Sequence, residues 1–319
     1  MPHEDSLLEG LIEDGRPLLM LTAVALLLSG AFAVLLAARR EFLPHDIAYL
    51  GMSASDLCTL ADCRVVRFMF HDRVAFGGAL IAIAVLYLWL TAYPLRAREQ
   101  WAWRALAISG ALGFASFLAY LGYGYLDMWH GLATGALLPV FLLGLWRTRP
   151  LATRIVPGWL GSAEGRAAPA LRRAGRWGLI ATGFGMLAAG VVILTVGTTQ
   201  VFVAEDLAFM GLTRTALEEV NPRLIPLIAH DRAGFGGGIA SAGTLVMICA
   251  WYGSPSRAFH QALLFAGGAG FGLAIGVHYA EGYTNLVHLA PAFAGATLFG
   301  VSLVLEAVGL RRRLSPEPA

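Results

Sequence analysis

Apolar runs of roughly twenty residues, separated by shorter polar stretches, recur along the whole chain. A helix needs about 20 such residues to cross the hydrocarbon layer of a bilayer. The pattern therefore predicts eight spans, at 18–38, 74–94, 105–122, 131–146, 178–196, 233–252, 262–279 and 286–310. The expected fold class is all-α, a polytopic membrane protein with eight transmembrane helices.

The polar stretches give an orientation. Arg96, Arg98 and Arg104 follow the second run, and Arg147, Arg149, Arg154, Arg166, Arg172, Arg173 and Arg176 follow the fourth. Arg257 follows the sixth run, and Arg311, Arg312 and Arg313 follow the last. With eight spans all of these fall on one side. The positive-inside rule makes that side cytoplasmic, with both termini inside and the chain in the cell's inner (plasma) membrane. Arg39 and Arg40 run against the rule. The opposite side carries two longer segments, 41–73 and 197–232, expected to form caps over the outer ends of the spans. Ser53-Ala54-Ser55-Asp56 reads as a capped helix start, and 213–220 as a short helix.

Composition sharpens this picture. Hydrophobic residues make up 57% of the 319 positions and charged residues 14%, against about 25% charged in a soluble domain. The mean hydropathy is +0.66. The net charge is only +2, and the basic residues sit where loops fall, so a nucleic-acid partner is not expected. Membrane lipid is the expected neighbour, with other membrane subunits as further candidates. Glu4, Asp5, Glu9, Glu13 and Asp14 precede the first run, where a cleaved signal would carry basic residues, so a retained span is expected.

The chain repeats its landmarks in order. Phe42-Leu43-Pro44-His45-Asp46-Ile47-Ala48-Tyr49-Leu50-Gly51 matches Phe202-Val203-Ala204-Glu205-Asp206-Leu207-Ala208-Phe209-Met210-Gly211. His71-Asp72-Arg73-Val74-Ala75-Phe76-Gly77-Gly78 matches His230-Asp231-Arg232-Ala233-Gly234-Phe235-Gly236-Gly237. Gly113-Phe114 matches Gly270-Phe271, and Gly124-Tyr125 with His130 matches Gly282-Tyr283 with His288. The near-constant offset implies two tandem four-helix repeats, 1–146 and 178–319, joined by a basic cytoplasmic linker, 147–177. Four spans per repeat put both repeats in the same orientation, related by an axis along the membrane normal.

Candidate chemistry lies at the expected outer ends of the spans. His45, Asp46, His71, Asp72, Asp127 and His130 stand there in the first half. Glu205, Asp206, His230, Asp231, His278, Glu281 and His288 stand there in the second. Ionisable groups at membrane depth are costly, which makes such a cluster a functional candidate. Histidine with carboxylate suits zinc or non-haem iron. One ligand set would come from His45, Asp46, His71 and His130, the other from Glu205, Asp206, His230 and His288. A second reading is a bis-His haem in each half, on His71 with His130 and on His230 with His288. Asp72 and Asp231 read as helix N-caps paired with the neighbouring arginines. In function these readings give a metal-dependent enzyme acting on a lipid- or quinone-like substrate. The alternatives are a non-catalytic scaffold or complex subunit, a proton-coupled transporter and a haem protein. No catalytic residue is assigned.

The duplicated HDR-x-x-F-G-G motif, each copy preceded by the segment ending in Gly51 or Gly211 and the second followed by GYTNLVHLAP at 282–291, resembles a family of uncharacterised bacterial multi-span membrane proteins. The resemblance covers nearly the whole chain and implies no particular activity.

Two smaller readings complete the picture. Cys58 and Cys63 share the first outer segment, where either a disulfide or two free thiols is open, and Cys249 reads as a core residue. Trp89, Trp101, Trp103, Trp146, Trp159, Trp177 and Trp251 are expected mainly in an inner interfacial belt.

Overall fold

The computed structural model describes residues 14–118, 125 and 128–311, apart from the side chains of 129, 130 and 309–311. Asp127 and the side chain of His130 therefore lie outside the described residues. The long helices are α1 (Arg16–Ala38), α2 (Arg64–Ala92), α3 (Gln100–Ser116), α4 (Met128–Thr148), α5 (Ala170–Thr198), α6 (Leu224–Tyr252), α7 (Arg257–Glu281) and α8 (Leu286–Arg311). All but the 17-residue α3 are long and apolar enough to cross a membrane. No strand occurs among the described residues.

α2 and α6 form the centre. They pack on each other, α2 also on α1 and α7, and α6 also on α5 and α3. α8 lies on α5, and α4 on α1. The outer helices turn apolar side chains such as Leu28, Phe184, Phe265 and Val304 outward, as lipid-facing surfaces require. Two glycines of the repeated motif account for the tight packing. A Cβ on Gly77 would stand 2.8 Å from the carbonyl oxygen of Gly30 on α1, and one on Gly236 would stand 2.4 Å from the backbone of Leu194 on α5. Small residues let helix backbones approach in this way.

α2 and α6 begin earlier than the hydropathy pattern predicts, at Arg64 and Leu224 in place of 74 and 233. The polar triplets 71–73 and 230–232 therefore sit inside helices, about two turns from the start. This overturns the reading of Asp72 and Asp231 as N-caps. The triplets interrupt the apolar run but not the helix, because their charges are paired across the α2–α6 contact. The residues before them, such as Phe68, Phe70, Leu227 and Ile228, are buried in an apolar cluster under the cap. Those after them, such as Leu86, Leu90, Leu245 and Cys249, belong to a second cluster. The polar triplets form a thin layer between the two.

The cap follows its sequence signals. Ser53 caps Ala54–Leu57: its hydroxyl accepts the Asp56 N–H at 3.2 Å, while the Asp56 carboxylate accepts the Ser53 N–H at 2.9 Å. The Ser53 hydroxyl, 2.7 Å from Asp56 Oδ2, and the Ser53 N–H together hold the Asp56 carboxyl below its ordinary range. Thr213 caps Arg214–Val220, its hydroxyl accepting the Ala216 N–H at 3.1 Å. The short helices Pro44–Leu50 and Ala204–Met210 each end at a glycine in the left-handed region, Gly51 and Gly211. Cys58 and Cys63 form a disulfide beside the start of α2.

At the opposite end Arg176 makes a fully buried ion pair with Glu306, 2.5 Å, and stacks over Trp159. Trp89, Trp101 and Trp159 are buried in this end of the bundle, not in a belt facing lipid, whereas Trp146 and Trp177 are exposed.

Candidate functional site

The two triplets exchange partners. Arg73 Nε donates to Asp231 Oδ2 at 2.8 Å, and Arg232 Nε stands 3.3 Å from Asp72 Oδ2. Each arginine also holds a cap aspartate: Arg73 Nη2 lies 2.8 Å from Asp46 Oδ2, and Arg232 Nη1 donates to Asp206 Oδ2 at 2.5 Å. Each of those aspartates in turn accepts a backbone N–H at the start of its own short helix, from Leu43 or Val203. Each also accepts a tyrosine hydroxyl at 2.8 Å, Tyr125 on Asp46 and Tyr283 on Asp206. The sequence reading paired Asp72 with its neighbour Arg73. The structure pairs it with Arg232 instead, because adjacent helical side chains point about 100° apart.

Asp206 lies in the cap. Burial pushes its carboxyl up, but the Arg232 guanidinium, with the hydrogen bonds from Arg232, Val203 and Tyr283, brings it below the ordinary carboxylate range. Burial raises the Tyr283 phenol, and the Asp206 anion raises it further, so this hydroxyl stays protonated and donates to Asp206.

Beside this lattice three histidines converge. His71 on α2, His278 in the last turn of α7 and His288 in the first turn of α8 each offer a ring nitrogen, and the three nitrogens lie within 4.8 Å of one another. The ring centroids of His71 and His278 are 4.2 Å apart. His278 and His288 are 5.3 Å apart, and His71 and His288 6.0 Å. His71 and His278 are buried and His288 is partly so. The α7–α8 turn produces the convergence. Gly282, at φ 76°, ends α7 in a left-handed cap, and the Tyr283 N–H returns to the His278 carbonyl at 2.8 Å. The Asn285 side chain then accepts the N–H groups of Val287 and His288 to start α8.

Hydrogen bonds orient the imidazoles from behind. His278 Nδ1 donates to the Ala274 carbonyl at 2.6 Å, while its Nε2 is buried without a hydrogen-bond partner. The Tyr283 hydroxyl already donates its hydrogen bond to Asp206, so the 3.2 Å contact with His288 is a donation from His288 Nδ1. His71 Nδ1 stands 3.3 Å from Asp72 Oδ1. The His278 and His288 rings thus each have Nδ1 engaged by a hydrogen bond, whereas His71 Nδ1 lies near the Asp72 carboxylate without one. This is how metal-ligating histidines are held in protein sites.

The residues singled out from the sequence divide as follows. His71 and His288, placed in different ligand sets, stand together. His278, recognised as polar but left out of both sets, completes the group. His230 stands apart, its Nδ1 3.1 Å from Asp231 Oδ1 and its ring 5.0 Å from the Tyr125 ring. Asp46 and Asp206 are held by arginine and tyrosine. His45 is 3.5 Å from Asp46, and Glu205 is partly exposed beside Asp206. His278 lacked a signal in the sequence comparison because Tyr120 stands at the matching offset. The turn residues Gly282 and Asn285 were the signal that could have found it, since they fold two histidine-bearing helix ends together.

No protein-family model matches the chain, and neither a curated protein nor a solved structure matches it significantly.

Proposed function

We propose that this chain is an integral membrane metalloprotein whose metal is held by His71, His278 and His288. One observation carries the reading: three imidazole nitrogens within 4.8 Å, with Nδ1 of His278 and of His288 held by a hydrogen bond. An ion bonded to all three at about 2.1 Å would hold them roughly 3.4 Å apart, a distance small side-chain rotations reach. Three neutral imidazoles with an open fourth position suit zinc, with iron as the alternative. The compact triangle favours a single ion over a macrocycle.

Held there by His71, His278 and His288, such an ion would supply acidification of a bound water or polarisation of a carbonyl. Asp206 and Tyr283 hold His288, Asp72 stands behind His71, and the cap excludes bulk water. The substrate class is lipid- or quinone-like, because only a molecule dissolved in the bilayer reaches a polar layer between two apolar clusters. We read the architecture as two tandem repeats in parallel orientation across an inner membrane, both termini cytoplasmic, with α3 as the eighth span. The paired contacts support this: Arg73–Asp231 with Arg232–Asp72, and Tyr125–Asp46 with Tyr283–Asp206. The Cys58–Cys63 disulfide supports an oxidising compartment on the cap side. Arg40, against the charge rule in sequence, is neutralised by Glu281 at 2.8 Å.

Elemental analysis of protein purified without chelator from metal-replete cells tests the proposal. About one zinc or iron per chain is expected, and a metal-free preparation contradicts it.

A further inference from the structure

A cavity of about 560 Å³ lies between α1, α2, α3, α4 and α6, away from the three histidines. Its walls are apolar for most of their length, with Leu26, Phe32, Leu80, Phe114 and Leu137 among them. Polar groups on the deep wall are satisfied by the protein: the Tyr87 hydroxyl meets Ser109 Oγ at 2.9 Å, and Ser241 Oγ donates to the Ser109 carbonyl at 2.8 Å. One end is different. Asp46, Arg73, His230 and Asp231 line it together. This volume is that of a ligand pocket with an apolar body and a few placed polar groups.

We infer that this cavity binds a membrane-dissolved molecule with a neutral carbonyl head and an apolar tail, of the kind represented by isoprenoid quinones and neutral acylglycerols. Charge selects the head. Two carboxylates and one guanidinium give the polar end an excess negative charge, which repels the carboxylate of a fatty acid or the phosphate of a phospholipid. Hydrogen bonding selects it further. Arg73 commits Nε to Asp231 and Nη2 to Asp46, while its Nη1 is buried without a hydrogen-bond partner. A buried donor in that state is costly unless something accepts from it, and a carbonyl oxygen accepts without bringing charge. The apolar walls take the tail. The inference does not require a metal at the histidines.

Equilibrium binding to the full chain in nanodiscs tests it. The probes are decylubiquinone, dioctanoylglycerol and, as the anionic control, decanoate. Gly113 faces the cavity, and a Cβ placed on it meets only Ser241, at 3.6 Å. Gly113→Leu therefore fills the space without displacing backbone. Saturable binding of at least one neutral probe is expected, weakened tenfold or more in Gly113→Leu, with decanoate unable to compete. Which neutral probe binds distinguishes a quinone from an acylglycerol. Equal binding in Gly113→Leu, failure of both neutral probes, or competition by decanoate overturns the inference. His278→Ala separates it from the metal reading: this variant is expected to lose metal and keep probe binding. Loss of probe binding in His278→Ala together with the metal overturns the assignment to a separate cavity.

Discussion

Arg73 and Asp231, 158 residues apart in sequence, meet at 2.8 Å in the contact between α2 and α6. Arg232 and Asp72 make the reciprocal pair at 3.3 Å. Each helix thus supplies an acid and a base to the other, and the four charges that α2 and α6 bring to their contact sum to zero. This arrangement lets two arginines and two aspartates sit inside helices whose other buried side chains are mostly apolar.

Removing one partner strands the other in a dry environment. Arg73→Ala is expected to destabilise the protein by about 3–5 kcal/mol, because Asp231 and Asp46 lose their shared cation, and Asp231→Ala to cost less, because Arg73 keeps Asp46. Replacing both with apolar residues of similar volume is expected to cost much less than the sum of the two. Thermal unfolding in detergent of the two single variants and the double variant checks this. Additive losses would show that the pair is not coupled.

The eight apolar runs, the cap helices at Ser53 and Thr213 and the repeated motif were all legible in the chain, because hydropathy and capping chemistry are local. The pairing of Asp72 with Arg232 was not, since which face of a helix meets which neighbour is decided by packing. The starts of α2 and α6 were missed for the same reason: a charged triplet ends a hydropathy window, but not a helix whose charges are paired. His71 and His288 were recognised singly. Their meeting, and the entry of His278, depends on α2 of the first half packing against α7 of the second, which no local pattern records.

Tyr283 connects His288 to Asp206, so its hydroxyl is expected to matter for metal retention and not for folding. Tyr283→Phe keeps the ring that stacks on His288 and removes only the oxygen. Lost partners behind a ligand typically lower metal affinity 10–100-fold. Competition with a chromophoric chelator measures this. Unchanged affinity would show that the hydroxyl does not orient the imidazole.

The cap should loosen in acid. The folded-state carboxyl of Asp206 is held below its ordinary value. Its contribution to stability is therefore complete above the unfolded carboxylate value, about 4, and is lost as pH falls through the depressed folded value. Hydrogen exchange of the Ala204–Met210 amides is expected to accelerate over that window in the wild type. In Asp206→Asn the acid-dependent part of the change is expected to disappear. The same pH profile in both proteins would assign the transition to another group.

Anomalous scattering at the metal absorption edge tests the central claim most directly. A single peak is expected among His71, His278 and His288, about 2.0–2.1 Å from one ring nitrogen of each, and absent in His278→Ala. A map from metal-replete protein with no peak there, or with its peak at another group of residues, would contradict a three-histidine metal centre.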